Sequence, residues 1–170
     1  MYLISIVTEM VGDVNNILKM NNSPREQLNK LEKENKYVFH GTGSQIENFE
    51  PRQAHTIIQG KKVPDGESSI FASSFADYAV FMALVNEENC PKGYRSGCSY
   101  HNGVLTFRAT KETLEQLTPE ARGYVYVFNR RDFIQKNPSE WVSHQTVTPV
   151  SIVTVIRSDF TSEIQELKVK

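Results

Sequence analysis

Few residues of this chain have both the type and the setting to do chemistry. His40 ends an aromatic and β-branched run, Tyr37-Val38-Phe39, and is followed by Gly41-Thr42-Gly43. Tyr78 lies in FASSFADYA, and Glu140, one hundred residues after His40, lies in SEWVSH. The two glycines have two readings. Either they only make a turn, or they bring backbone close to a ligand that the histidine also touches. Read alone, Tyr78 is a helix-face residue and Glu140 an exposed strand carboxylate.

Other chemistries find less footing. Cys90, Cys98 and His101 fall within twelve residues, but Cys-x7-Cys lacks the close ligand pairs of a structural zinc site and has no fourth ligand. No metal is expected. A disulfide across the same loop would need a geometry that sequence does not give, and two ordinary thiols are the plainer reading. No phosphate-cradling GxxxxGK(S/T) loop occurs. A dinucleotide GxGxxG is absent too, since Gly41-Thr42-Gly43 runs on into Ser44-Gln45-Ile46. No GxSxG elbow singles out a serine. His55, His101 and His144 read as loop or surface residues, although His144 would share a strand face with Glu140, and Trp141 reads as core.

The chain that must position these residues has 170 residues, enough for one domain with a substantial core. Its 39% hydrophobic and 23% charged content is ordinary for a globular protein. The net charge of −1, from 19 basic and 20 acidic residues, speaks against a coat for nucleic acid or an anionic membrane. It leaves room for a small anionic ligand held by one or two local cations. No apolar run approaches the roughly 18 residues of a membrane span. Glu9 and Asp13 interrupt an N-terminus that lacks a basic region, so no signal peptide is expected. With two cysteines and no export signal, a cytoplasmic, reduced protein is the default.

Leu3, Val7, Met10, Val14, Ile17 and Leu18 recur at helical spacing, predicting an amphipathic helix over 2–19. Ser23-Pro24-Arg25-Glu26 is a capping box with proline at the first helical position, predicting a helix from about Pro24 to Asn35. These helices read as an N-terminal segment, 1–36, open to a protein partner. The remainder, 37–170, reads as the domain that carries the chemistry. Strands are expected at 37–40, 69–72, GVLTFRAT, GYVYVFN, SEWVSHQTV and PVSIVTVIRSDF, with helices over 75–88 and 110–117 and a helical turn at RRDFIQKN. Residues 44–67 and CPKGYRSGCSYHNG read as loops. The strands do not alternate with helices in regular βαβ units. The architecture is therefore α+β, a largely antiparallel split sheet or sandwich with helices beside it.

VFHGT, IFASSFADYAVFMA and SEWVSHQTVTPVSIVTVI together resemble the three sequence blocks of the ADP-ribosyltransferase superfamily, on its poly(ADP-ribose) polymerase-like, His-Tyr-Glu side. RNA 2′-phosphotransferases share the fold and a similar first block. The resemblance covers about residues 37–157 and rests on the order and spacing of three short motifs. It implies a split antiparallel sheet that binds NAD as co-substrate. His40 would hydrogen-bond the adenosine ribose, and Gly41, beside Thr42, would offer its backbone to the nicotinamide amide. Tyr78 would stack on the nicotinamide ring in a pocket lined by Phe71 and Ser73, and Arg52 would balance the pyrophosphate. Glu140 would hold the ribose hydroxyl and stabilise the sugar cation as nicotinamide leaves. Ile70 stands where the family often has a second aromatic.

The resemblance implies transfer of ADP-ribose to an acceptor, protein or nucleic acid, with nicotinamide released. Two rivals remain: removal of an RNA 2′-phosphate using NAD, and a non-catalytic module that binds a nucleotide, ADP-ribose or a protein. Fold likeness alone does not choose among them.

Overall fold

The computed structural model of the chain describes residues 22–168, the side chains of Thr56 and Ile57 excepted. The helix expected over 2–19 lies outside the described residues.

The first described helix, α1 (Pro24–Lys33), starts as its capping box dictates. Ser23 Oγ accepts from the Glu26 amide, and Glu26 returns the bond to the Ser23 amide. Asn35, with φ of 57°, turns the chain out of the helix. Leu28 and Leu31 are fully buried, in one cluster with Val125 and Val127 of the main sheet and with Phe81 and Leu84. The helix before Tyr37 thus shares its core with the main sheet. Truncating either leucine to alanine costs about 2–5 kcal/mol.

The main sheet is antiparallel, in the order β1 (Tyr37–Thr42), β7 (Arg122–Asn129), β10 (Ser151–Ile156). Helix α2 (Ala76–Leu84) lies across it on a stripe of Ala76, Ala79 and Ala83. Two sheet glycines let it come that close. A Cβ on Gly41 would run into the Ala79 carbonyl oxygen, and one on Gly123 into that of Ala83. Gly41 therefore turns its open side to the helix.

A second sheet joins β4 (Ile70–Ala72), β9 (Trp141–Ser143) and β8 (Ile134–Gln135). A third joins β5 (Ser96–His101), β6 (Val104–Ala109) and β11 (Ile164–Glu166). There β11 runs parallel to β6, the one departure from antiparallel pairing among the described strands. Thr110 caps the short helix α3 (Lys111–Gln116). The architecture is α+β.

Two segments read as loops contain strands. In 44–67, β2 (His55–Ile58) and β3 (Lys61–Pro64) form a hairpin around Gln59-Gly60, both at positive φ. Its base is fixed by paired backbone bonds between Arg52 and Ser69, at 3.2 and 3.0 Å. In CPKGYRSGCSYHNG, β5 folds back on β6 through Asn102-Gly103. Cys90 and Cys98 are both free thiols. Helix α2 ends at Leu84, short of the expected Glu88, because the Asn86 amide donates back to the Met82 and Ala83 carbonyls. No described helix is long and apolar enough to cross a membrane.

Candidate functional site

Strand β4 is the piece that assembles the site. On one side Ser73, just past its end, exchanges two 2.8 Å backbone bonds with Phe39 of β1. On the other side Ala72 pairs with Trp141 of β9. His40 follows Phe39 and Glu140 precedes Trp141, so residues a hundred positions apart flank one short strand. Phe71, in the middle of β4, touches both His40 and Tyr78. Its carbonyl accepts from His40 Nδ1 at 2.7 Å, and its ring meets Tyr78 at a centroid distance of 5.5 Å.

The state of His40 follows from this bond. A carbonyl only accepts, so Nδ1 carries the proton and the neutral ring presents Nε2 as an acceptor. Burial pushes the His40 pKa below its usual 6.5, and the nearby Arg52 charge adds to the effect against the Phe71 bond. The imidazole is therefore neutral at pH 7 and suited to receive a hydroxyl proton. The Phe49 ring packs edge-on against it at 5.3 Å. His40, Phe49, Arg52, Ile70 and Phe71 line a cavity of about 290 Å³. Such a volume holds one nucleoside end of a dinucleotide, at the low end of ligand-site sizes. Tyr126 steadies its wall by accepting the Ile46 amide at 2.7 Å.

Tyr78 sits in the first turn of α2, half buried. Burial first, then the Cys98 and Glu140 charges, push its phenol up to about 12. Glu140 itself is partly exposed. Its Oε2 accepts from the Asn137 side-chain Nδ2, while Asn137 Oδ1 accepts from the Glu140 backbone amide at 2.9 Å and from both the backbone amide and the hydroxyl of Ser139. Ser74 ties this turn to the start of α2 by donating to the Pro138 carbonyl at 2.9 Å.

His40, Arg52 and Phe71 thus share a cavity wall, Tyr78 meets the Phe71 ring, and Glu140 stands just before β9. The remaining three residues named from sequence are placed otherwise. Gly41 packs on α2, Thr42 Oγ1 accepts from the Ser44 amide, and Ser73 is fully buried with its hydroxyl accepting from the Phe75 amide. Sequence reasoning passed over Asn137 and Ser74. Asn137-Pro138 is a turn-forming pair whose side chain bonds its own backbone, a signal that could have marked it. Among the described residues no cluster of His, Cys, Asp or Glu could hold a metal ion.

Compared with protein-family models, with curated proteins and with solved structures, the chain finds no match.

Proposed function

We propose that the chain is an NAD-binding, ADP-ribosyltransferase-like protein that moves ADP-ribose from NAD to an acceptor and releases nicotinamide. The observation that carries this reading is the convergence on β4 of a neutral, backbone-oriented His40 and the turn-held carboxylate of Glu140. NAD makes demands that these residues meet. His40 Nε2 can accept from the adenosine ribose, Arg52 supplies a cation for pyrophosphate, and the Phe71 and Tyr78 rings offer flat apolar surface. Glu140 is the fixed negative charge that an oxocarbenium-like sugar needs most. The cavity of about 290 Å³ takes the adenosine end, and the nicotinamide end lies over Phe71 toward Glu140.

Incubation of the purified chain with NAD tests this by chromatography of free nicotinamide. The expected result is release that Glu140→Gln lowers by about 10²- to 10³-fold, as for loss of one transition-state partner. No release from the wild type, or equal release from the variant, would reject it.

A second reading, nucleotide binding without transfer, is favoured by Ile70. This residue is 5% exposed and packed in the cluster with Phe49 and Phe128, so it gives the nicotinamide end no second aromatic face. Saturable NAD binding without nicotinamide release would select it.

A further inference from the structure

A second cavity, of about 450 Å³, opens beside Glu140, with Pro138 and Trp141, on either side of that residue, both in its wall. Two flat platforms line it. Phe75 and Tyr100 stack at 5.2 Å with 28° between their planes. The Arg130 guanidinium lies 4.9 Å over the Trp141 ring. No carboxylate lies within ion-pair distance of Arg130 among the described residues. Its terminal N–H groups donate to the Asn35 side-chain oxygen and the Tyr37 carbonyl, both neutral. On the same two wall residues, Arg130 Nε and Trp141 Nε1 are buried donors without an acceptor. Buried donors in folded proteins are nearly always paired.

We propose that this cavity docks the acceptor of the transfer reaction and that the acceptor is a base of single-stranded nucleic acid. The inference rests on the transferase reading of Glu140. A nucleotide matches the wall on each count. Its base has flat faces for the aromatic platforms, and its phosphate answers the cation that no carboxylate neutralises. An acidic side chain would satisfy Arg130 but leave both ring platforms unused. A wholly apolar ligand would leave the cation unanswered. Gln135 and Glu32 stand in the same wall, the carboxyl of Glu32 bound to the Ala76 amide at 2.7 Å. In the transfer, the ribose–nicotinamide C–N bond breaks and nicotinamide leaves as the neutral amide with the bonding pair. An exocyclic amino nitrogen of the docked base forms a bond to the same ribose carbon. Its proton passes to Glu140 and then to solvent.

Trp141 is the chain's single tryptophan, so its fluorescence reports on this cavity. The full chain, without NAD, is titrated with mixed-sequence single-stranded RNA and DNA octamers and with a glutamate-rich octapeptide. Saturable quenching by either oligonucleotide and not by the peptide is expected, and an RNA-only or DNA-only response names the natural source. Tyr100→Ala removes one platform and should weaken oligonucleotide binding about tenfold while leaving the NAD-induced thermal shift unchanged. The proposal is overturned if neither oligonucleotide quenches, if Tyr100→Ala binds as tightly as wild type, or if only the peptide responds. If NAD gives no thermal shift while oligonucleotide quenching persists, the transferase reading fails and the nucleic-acid cavity stands.

Discussion

At one end of the candidate site, His40 projects from a strand paired along its length with β7, and a backbone carbonyl fixes its ring. At the other end, Glu140 stands just before a three-residue strand and is held mainly by the side chain of Asn137. The ring of His40 is anchored to a backbone carbonyl of β4. The carboxylate of Glu140 depends on one amide and one turn. The end proposed for recognition is thus built into the core, whereas the charge proposed for chemistry is set locally and should tolerate change without unfolding the chain. Helix α2 sharpens the contrast, because it presses on Gly41, next to His40, and carries Tyr78 against Phe71.

Gly41→Val should break the rigid end with the largest effect. The added side chain meets the Ala79 backbone, so the destabilisation should reach about 3 kcal/mol or more, read from urea unfolding. A cost within about 0.5 kcal/mol, that of an ordinary surface change, would deny that helix and sheet are pressed together there.

Asn137→Ala should loosen the other end alone. Nicotinamide release should fall about tenfold, the order of one lost charge-assisted hydrogen bond, with NAD affinity unchanged. A matching loss of NAD affinity would mean that the turn orders the binding end as well.

A smaller effect separates the ends by pH. Burial lowers the folded pKa of His40 from 6.5, so the unfolded chain takes up that proton first as pH falls. The stability contributed by the neutral ring is therefore complete above pH 6.5 and is lost as pH drops from there through the lowered folded value. Unfolding midpoints of wild type and His40→Asn should run parallel above that pH and diverge below it. Parallel curves throughout would show that the ring is not held neutral.

The smallest signal is chemical. Burial and the Asp77 charge push the Cys98 thiol up to about 12, so it should react with thiol reagents at pH 8 far more slowly than a free cysteine. Fast labelling would place it in the open, against the burial that raises its pKa.

What was legible in the sequence was local. The Ser23–Glu26 box set α1 to within a turn, and the alternating runs around Phe39, Val125 and Val153 gave the main strands. The β2–β3 hairpin was hidden because two four-residue strands around Gln59-Gly60 show little alternation, and its anchor is a backbone pairing of Arg52 with Ser69 that no side-chain pattern encodes. Strand β5 was missed although Asn102-Gly103, both at positive φ, is a strong hairpin signal. Its Ser-Gly-Cys-Ser composition masked it. At the candidate site, residue type and the resemblance singled out His40, Tyr78 and Glu140, and β4 joins the strand of His40 to the strand that follows Glu140. The purpose of Gly41 was not legible, because the body it must admit is a helix forty residues later. The Asn137-Pro138 pair signals a turn, but not that the Asn137 side chain donates to the Glu140 carboxylate.

The most direct test of the central claim is a thermal shift with NAD on wild type, His40→Ala and Asn137→Ala side by side. A ligand that binds only the folded state at about 100 times its Kd adds about 2.7 kcal/mol. The account predicts a clear upward shift for wild type, none for His40→Ala, and an undiminished shift for Asn137→Ala. An equal shift in all three, or none in wild type at high NAD, would contradict it.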